Sequence, residues 1–564
     1  MSQGWQSLLA PVGVWIHQRL SSASQQTIEQ YYQDLSGPKL SNDLKEAVEA
    51  LLGSQEHLRA IFKEDAVPDQ DGILRWDEDN FRKWVASQQP LAVLGAFAPR
   101  LWHAFVYFAE FPFAEPMIRH SDAQDRRVNE GGFVQAYILL ALRGMELLGN
   151  GKDGWTAKGA VENNWSQKAP RLLTCLFDGL KISTPAQEEP SQGFVNRDAT
   201  AHAEEQLMDA IVLTQPVPHM TGLPFEEGLR DVAKRLLIDN LAPSYHKPPT
   251  WVVPKNDLQT LVQLILLLRL GNSPWKQGLV LHQTTRMSGD VERLALVTDE
   301  EEVRLSARLS DAFIKYKLGD ADAVTRQAFE TICAAYPNIV LRYYQLWTVI
   351  CVPPDSAPQS QNLGSTMWNC VAQFLSLICP VDFDRPAPLG WHEDERQLQL
   401  DIQNATLVAD STSQAALDAE SLVDDLSNDQ QFHVLLITAE EVHNNAADAK
   451  STEQLLALFT SPFDNQIPFW DCPGCPSYVW RYGLVQFLPH VITSPTGGLS
   501  ANFQDGILRF SPHDDSYRSS SITVDLKSGI ITIDWVDSLV LRLSLRSMKC
   551  YRMPGSAVKI HKSS

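Results

Sequence analysis

The hydrophobic rhythm of the chain changes near residue 400. Up to about residue 380, apolar side chains recur three and four apart, the spacing of amphipathic helices. Ile28, Tyr31, Tyr32 and Leu35 predict a helix within 25–62, and a second helical pattern runs from Leu44 to Phe62. A turn at Pro68–Gly72 precedes a helix carrying Phe81, Trp84 and Val85. Residues 100–110 and 133–148 are strongly apolar, and the stretch from Phe133 is hydrophobic almost all round, which places it deep in a helical core. Helical patterning resumes over 204–270 and 299–379. The run Leu261–Leu270, interrupted by Gln263 and Arg269, predicts a buried helix.

From about Leu400 the period falls to two. Leu539, Leu541, Leu543 and Leu545 alternate with Arg542, Ser544 and Arg546, the pattern of a half-buried strand. Strands are expected near 432–437, 479–488, 506–510, 521–526, 530–535 and 539–546, with Lys527-Ser528-Gly529 as a tight hairpin turn. Ser451–Ser461 is expected to be a helix within this region. Polar stretches at 183–203 and 409–430 predict loops. Together these patterns predict an α+β protein. A helical region (1–182) leads through a linker (183–203) to a second helical region (204–390), a β-rich domain (395–555) and a short tail (556–564).

Composition narrows the class. At 44% hydrophobic and 20% charged, the chain has the material for sizeable cores. Lys and Arg number 47 against 68 Asp and Glu, a net charge of −21. With no basic stripe to compensate, that charge repels a phosphate backbone and argues against nucleic-acid binding. The longest apolar run is about half the roughly 20 residues a bilayer requires, so no transmembrane span is expected. The first residues lack the basic region of a signal peptide. Cys333, Cys351, Cys370 and Cys379 lie in apolar segments, as expected of reduced core thiols in a cytosolic protein, where the sequons at Asn164 and Asn404 carry no meaning.

Two stretches carry candidate metal chemistry. Val67–Glu78 has the spacing of an EF-hand loop, with Asp69 in the third position, Asp71 in the fifth, Gly72 in the sixth and Glu78 in the twelfth. Ile73 would offer its carbonyl from the seventh, but Val67 has no oxygen to give in the first. The loop is therefore a calcium candidate through Asp69, Asp71 and Glu78 beside a purely structural reading. A more degraded loop lies at Lys317–Phe329, with Ala328 in the twelfth position and Asp322 in the glycine position, and no metal is expected there. Cys472 and Cys475 form half of a zinc site, with Pro473-Gly474 between them suiting a simple turn. Their only nearby donors are His490, His513 and Cys550. Gly149–Gly154 matches G-x-G-x-x-G but follows a helical pattern instead of a strand, so it reads as a helix end and loop. The charged cluster at His392–Glu395 reads as a solvated face, and no hydrolase, metalloprotease or kinase signature occurs.

The order of these parts resembles the fungal restriction-of-telomere-capping proteins, in which a TLDc domain follows a helical, EF-hand-like region. The resemblance rests on Gly72–Phe81 followed by Phe111-Pro-Phe113 and the apolar helix 133–148, on Leu318–Phe329, and on Leu456–Phe459, Tyr478–Leu488 and the closing strands to Tyr551. The chain departs from the family in having only Gly529 where TLDc sheets carry a glycine cluster, and Ser2 where members often carry the glycine that permits myristoylation. The resemblance implies a TLDc-like β-sandwich and a non-enzymatic regulator without a cofactor. It also implies association with the vacuolar-type proton pump and with oxidative-stress resistance, in the cytoplasm or at the vacuole surface. Two alternatives stay open from the residues alone: an enzyme whose site is assembled from scattered positions, and a calcium-responsive adaptor using the 67–78 loop.

Overall fold

The computed structural model describes residues 28–52, 56–111, 126–142, 176–184, 226–240, 250–269, 295–336, 338–351 and 366–378 of the helical part. Beyond it are described 397–398, 406–411, 432–442, 453–460, 482–488, 492–496, 498–502, 506–511, 521–534, 540–553 and 557–558, with a few single residues between 204 and 211. The linker beyond Thr184, the glycine-rich match at 149–154, the cluster at 392–395 and the Cys472/Cys475 pair lie outside these residues.

Three helices, not two, open the described chain: α1 (Ile28–Asp34), α2 (Gly37–Leu52) and α3 (Glu56–Asp65). The strands β1 (Val67–Pro68) and β2 (Leu74–Trp76) lead into α4 (Glu78–Gln88). A long apolar helix, α5 (Ala92–Glu110), is followed by β3 (Val128–Asn129) and α6 (Glu130–Tyr137), which passes into a π-helical turn at Ile138–Leu142. β2 pairs antiparallel with β3, Trp76 opposite Val128, so two helix–strand–helix units face one another across the small sheet β1-β2-β3.

The arrangement recurs further along. After β4 (Ile182–Thr184) come α7 (Glu226–Asn240), β5 (Thr250–Pro254) and α8 (Lys255–Leu267). β6 (Leu268–Arg269) pairs with β7 (Ala295–Leu296), and α9 (Glu300–Leu318), β8 (Ala323–Thr325) and α10 (Arg326–Ala335) form the next unit. β5 pairs with β8, Val253 opposite Val324, and with β4 on its other side. The degraded loop at Lys317–Phe329 thus pairs with the strand at 250–254 and not with the loop at 67–78. Local chemistry sets the unit's bounds. Asp299 accepts from the Glu302 N–H at 3.0 Å to start α9, Gly319 ends it at φ 58°, and Thr325 accepts from the Ala328 N–H to start α10.

Helices α11 (Asn338–Cys351) and α12 (Thr366–Ile378) complete the helical part. Its centre is α8, which packs against α5, α9, α11 and α12. Leu258, Leu261, Val262, Leu264, Ile265, Leu266 and Leu267 are all fully buried, as the apolar run predicts. α11 ties the two pairs together. The Tyr137 hydroxyl donates to the Cys351 carbonyl at 2.7 Å, the Thr348 hydroxyl to that of Ala141 at 2.8 Å, and Trp347 rests on Phe81 and Phe105.

The remaining strands are β9 (Gln397–Leu398), β10 (Thr406–Asp410), β11 (Phe432–Glu441), β12 (Glu453–Thr460), β13 (Tyr482–Leu488), β14 (Ile492–Thr496), β15 (Gly498–Asn502), β16 (Ile507–Ser511), β17 (Ser521–Asp525), β18 (Ile530–Asp534), β19 (Val540–Met553) and β20 (Ala557–Val558). Ten of them, β10 to β19, form one antiparallel sheet in the order β14-β13-β12-β11-β19-β18-β17-β16-β15, with β10 also on β19. The path starts on β14 and ends on β15, which are separated in sequence by Gly497 alone, so the sheet curls back on itself. Its two arms share a core of Leu435, Ile437 and Leu456 from one side and Leu508, Ile522, Val524, Ile531 and Ile533 from the other. β9 and β20 pair with each other, joining the beginning of this segment to its end.

The expected helix at Ser451–Ser461 is instead strand β12, hydrogen-bonded to β11 and β13 on its two sides. Its apolar run is continuous because both of its faces are covered. Leu455 joins the helical core and its neighbour Leu456 joins the sheet core. β11 behaves alike, sending Val434 and Leu436 one way and Leu435, Ile437 and Ala439 the other.

β19 runs further than the alternation of its leucines predicts, and a bulge explains why. Leu541, Leu543 and Leu545 face the sheet core. Opposite Thr438 and Ala439 the register skips Arg546, and beyond it Met548 and Cys550 face the sheet core while Tyr551 faces the helices. One inserted residue exchanges the faces of everything after it. That exchange lets Tyr551 stack on Trp368 of α12, ring centroids 3.8 Å apart and planes 10° apart. The helical part and the sheet therefore meet across a packed apolar seam.

Candidate functional site

The loop between α3 and α4 is a tight turn closed on itself. The Asp69 N–H donates to the Ile73 carbonyl at 2.9 Å and the Gly72 N–H to that of Asp69 at 2.8 Å. Gly72 occupies the left-handed region at φ 76°, which the sixth position of such a loop requires. Each aspartate divides its two oxygens. Asp69 Oδ1 accepts from the Gln70 N–H at 2.8 Å, and Asp71 Oδ1 accepts from the Ile73 N–H at 3.0 Å. The other two oxygens converge on Arg75, in the ninth position of the loop. Arg75 Nη1 lies 2.8 Å from Asp69 Oδ2 and Nη2 lies 2.5 Å from Asp71 Oδ2.

Glu78 is held elsewhere. Asp77 and Asn80 form a reciprocal cap, the Asn80 N–H donating to Asp77 Oδ1 at 2.9 Å and the Asp77 N–H to Asn80 Oδ1 at 3.2 Å. That cap makes Glu78 the first residue of α4, where a carboxylate suits the helix dipole. Glu78 is buried, with Oε1 3.8 Å from Arg82 Nη1. The structure thus brings Asp69 and Asp71 together through Arg75 and gives Glu78 a role in starting the helix. Among the described residues, no three His, Cys, Asp or Glu side chains gather as a metal ion would need. Reading the loop for oxygen donors alone passes over Arg75. The available signal is a basic residue in the ninth place, on the far side of the turn from two aspartates.

The loop before β8 is also served by a cationic side chain. Lys255, at the start of α8, donates through Nζ to the Gly319 carbonyl at 2.6 Å, and its backbone N–H donates to the Asp322 carbonyl at 2.9 Å. Asp320 and Asp322 are exposed. Nearby, Lys317 lies over the rings of Tyr316 and Tyr336, 4.4 and 4.8 Å from their centroids. Burial lowers its pKa from the ordinary lysine value.

Buried ionisable groups elsewhere serve packing. Burial pushes the thiols of Cys333 and Cys351 well above the ordinary range, which keeps them protonated and unreactive. Burial does the same to Tyr137, whose proton is held on the Cys351 carbonyl. Lys181 lies 2.7 Å from the buried Asp178 carboxylate and 4.7 Å from the centre of the Trp251 ring, while the Tyr107 hydroxyl donates to the other Asp178 oxygen at 3.3 Å. Of the zinc candidates' neighbours, Cys550 is buried in β19 facing the sheet core. Cys472, Cys475, His490 and His513 fall outside the described residues. No protein-family model matches the chain, and no curated protein matches it in sequence.

Proposed function

We propose that this chain is a non-enzymatic regulatory protein of the TLDc type, acting by binding a larger assembly. The partner implied by the resemblance of its sequence is the vacuolar-type proton pump. One observation carries the reading: paired helix–loop–helix units are followed by a curled antiparallel sheet, and the two are joined through the Trp368–Tyr551 seam. This is the order of parts that the resemblance calls for. Cys333 and Cys351 are buried, so the proposed route to stress resistance makes no use of thiol chemistry at those positions. Among the described residues, no helix is long and apolar enough to cross a membrane, which fits peripheral attachment at the vacuole surface from the cytoplasm. A binder shifts its target's equilibrium only by its difference in affinity for two states. Its action therefore requires that it prefer either the assembled or the separated pump.

The test is affinity purification of the tagged full-length protein from its own cells, with partners quantified by mass spectrometry. Recovery of pump subunits in near-stoichiometric amount is the expected result. Their absence from a tagged protein that is otherwise intact would remove the pump from the account.

A further inference from the structure

Calcium loops keep their shape because a divalent cation draws several loop oxygens to one point. The 67–78 loop has a cation of its own. Arg75 holds one oxygen each of Asp69 and Asp71, while their remaining oxygens accept loop N–H groups. We propose that Arg75 is the resident cation of this loop, taking the part that calcium plays elsewhere, so that the first helix–loop–helix pair keeps one shape at every calcium level. The geometry is suited to the role: a planar guanidinium presents two N–H groups side by side, and two carboxylates meet them. β2, which carries Arg75, is also the strand that pairs with β3, so the guanidinium fixes the loop against the same small sheet that joins the two units.

The second pair repeats the principle with different atoms. There the ammonium of Lys255 holds the carbonyl of Gly319, and the adjoining N–H holds that of Asp322. Each of these two loops is thus anchored by a covalently attached positive charge. The device keeps these two loops formed without calcium. It does not depend on the pump being the partner, and its test is separate.

The experiment is a calcium titration of the melting temperature of the full-length protein, starting from a chelator-treated sample, for the wild type and for Arg75→Ala. The wild type is expected to melt at one temperature with chelator and with millimolar calcium. Arg75→Ala is expected to melt lower in chelator and to recover part of the loss in millimolar calcium, which would bind the freed oxygens of Asp69 and Asp71 with water completing its shell, the recovery disappearing when Asp69→Asn and Asp71→Asn are added. Arg75→Gln, which keeps part of the side-chain stem, carries the same test where the alanine variant does not fold. A saturable calcium-dependent rise in the wild type overturns the proposal. Indifference of both Arg75 variants to calcium overturns it too, since that is how an ordinary surface ion pair behaves.

Discussion

Replacing Trp368 with alanine tests the seam between helices and sheet. Trp368 is 1% exposed, and its ring lies flat on Tyr551 at 3.8 Å. Truncating a buried aromatic of this size costs about 3–5 kcal/mol through lost transfer energy and the cavity left behind. The ring pair itself accounts for about 0.5–1.5 kcal/mol of that. Because Trp368 sits on α12 and Tyr551 on β19, the loss falls on the contact between the two parts. Urea unfolding of the full chain, followed by far-ultraviolet circular dichroism and by hydrogen exchange at β11 and β19, measures it. The wild type is expected to lose helix and sheet protection together. Trp368→Ala is expected to shift the transition to lower urea and to raise exchange in β19 first. Tyr551→Ala should cost a comparable amount, and the double variant should cost less than the sum by about the stacking energy. Strict additivity, or a loss below about 1 kcal/mol for Trp368→Ala, would refute the packing described for a buried residue of this kind.

Other expectations are more local. Leu543→Ala, at the centre of the sheet core, should lower stability by about 2–5 kcal/mol in the same unfolding assay. Gly529 closes the turn between β17 and β18 at φ 67°, with open space where a Cβ would stand. Gly529→Val should therefore cost about 1–2 kcal/mol from backbone strain alone, and Gly529→Asn distinctly less. Asp525 is held below the usual carboxylate range by the Ser528 hydroxyl and N–H and by Lys527. A depressed folded pKa stabilises the native state above the unfolded value and loses that contribution as pH falls through the folded value. Asp525→Asn should therefore melt below the wild type at neutral pH, with the gap closing below about pH 4. The thiols of Cys333, Cys351, Cys370 and Cys550 should resist alkylation in the native protein and react fully in denaturant, as site-resolved mass spectrometry would read.

Where a strand or helix has one wet face, its class is plain in the sequence. The leucines of β19 up to Leu545, the hairpin at Lys527–Gly529 and the helix bearing Phe81 and Trp84 all lie where their periodicity places them. β12 escapes because a strand covered on both faces has no period to read, and Leu455 and Leu456 are apolar for two different cores. The far half of β19 escapes because a single bulged residue, Arg546, inverts the alternation. The calcium spacing of Asp69 and Asp71 is legible as a loop, and Gly72 takes the conformation expected of it. What the spacing does not reveal is that Arg75 folds back on both carboxylates, because a donor pattern counts oxygens and says nothing of a cation within the same turn. Pairing of the loops is equally hidden, since β8 finds β5 some 70 residues away through the tertiary fold.

We propose that this protein acts by binding the proton pump, and equilibrium binding with purified components tests that proposal most directly. The full-length chain would be titrated against the isolated pump in its assembled and its separated states, with complex formation followed by mass photometry. The account predicts saturable binding at one defined stoichiometry, with a clear preference for one of the two states. Equal binding to both states would contradict a regulatory role, and no binding to either at about 10 μM, weaker than roughly −7 kcal/mol of association energy, would contradict the claim itself.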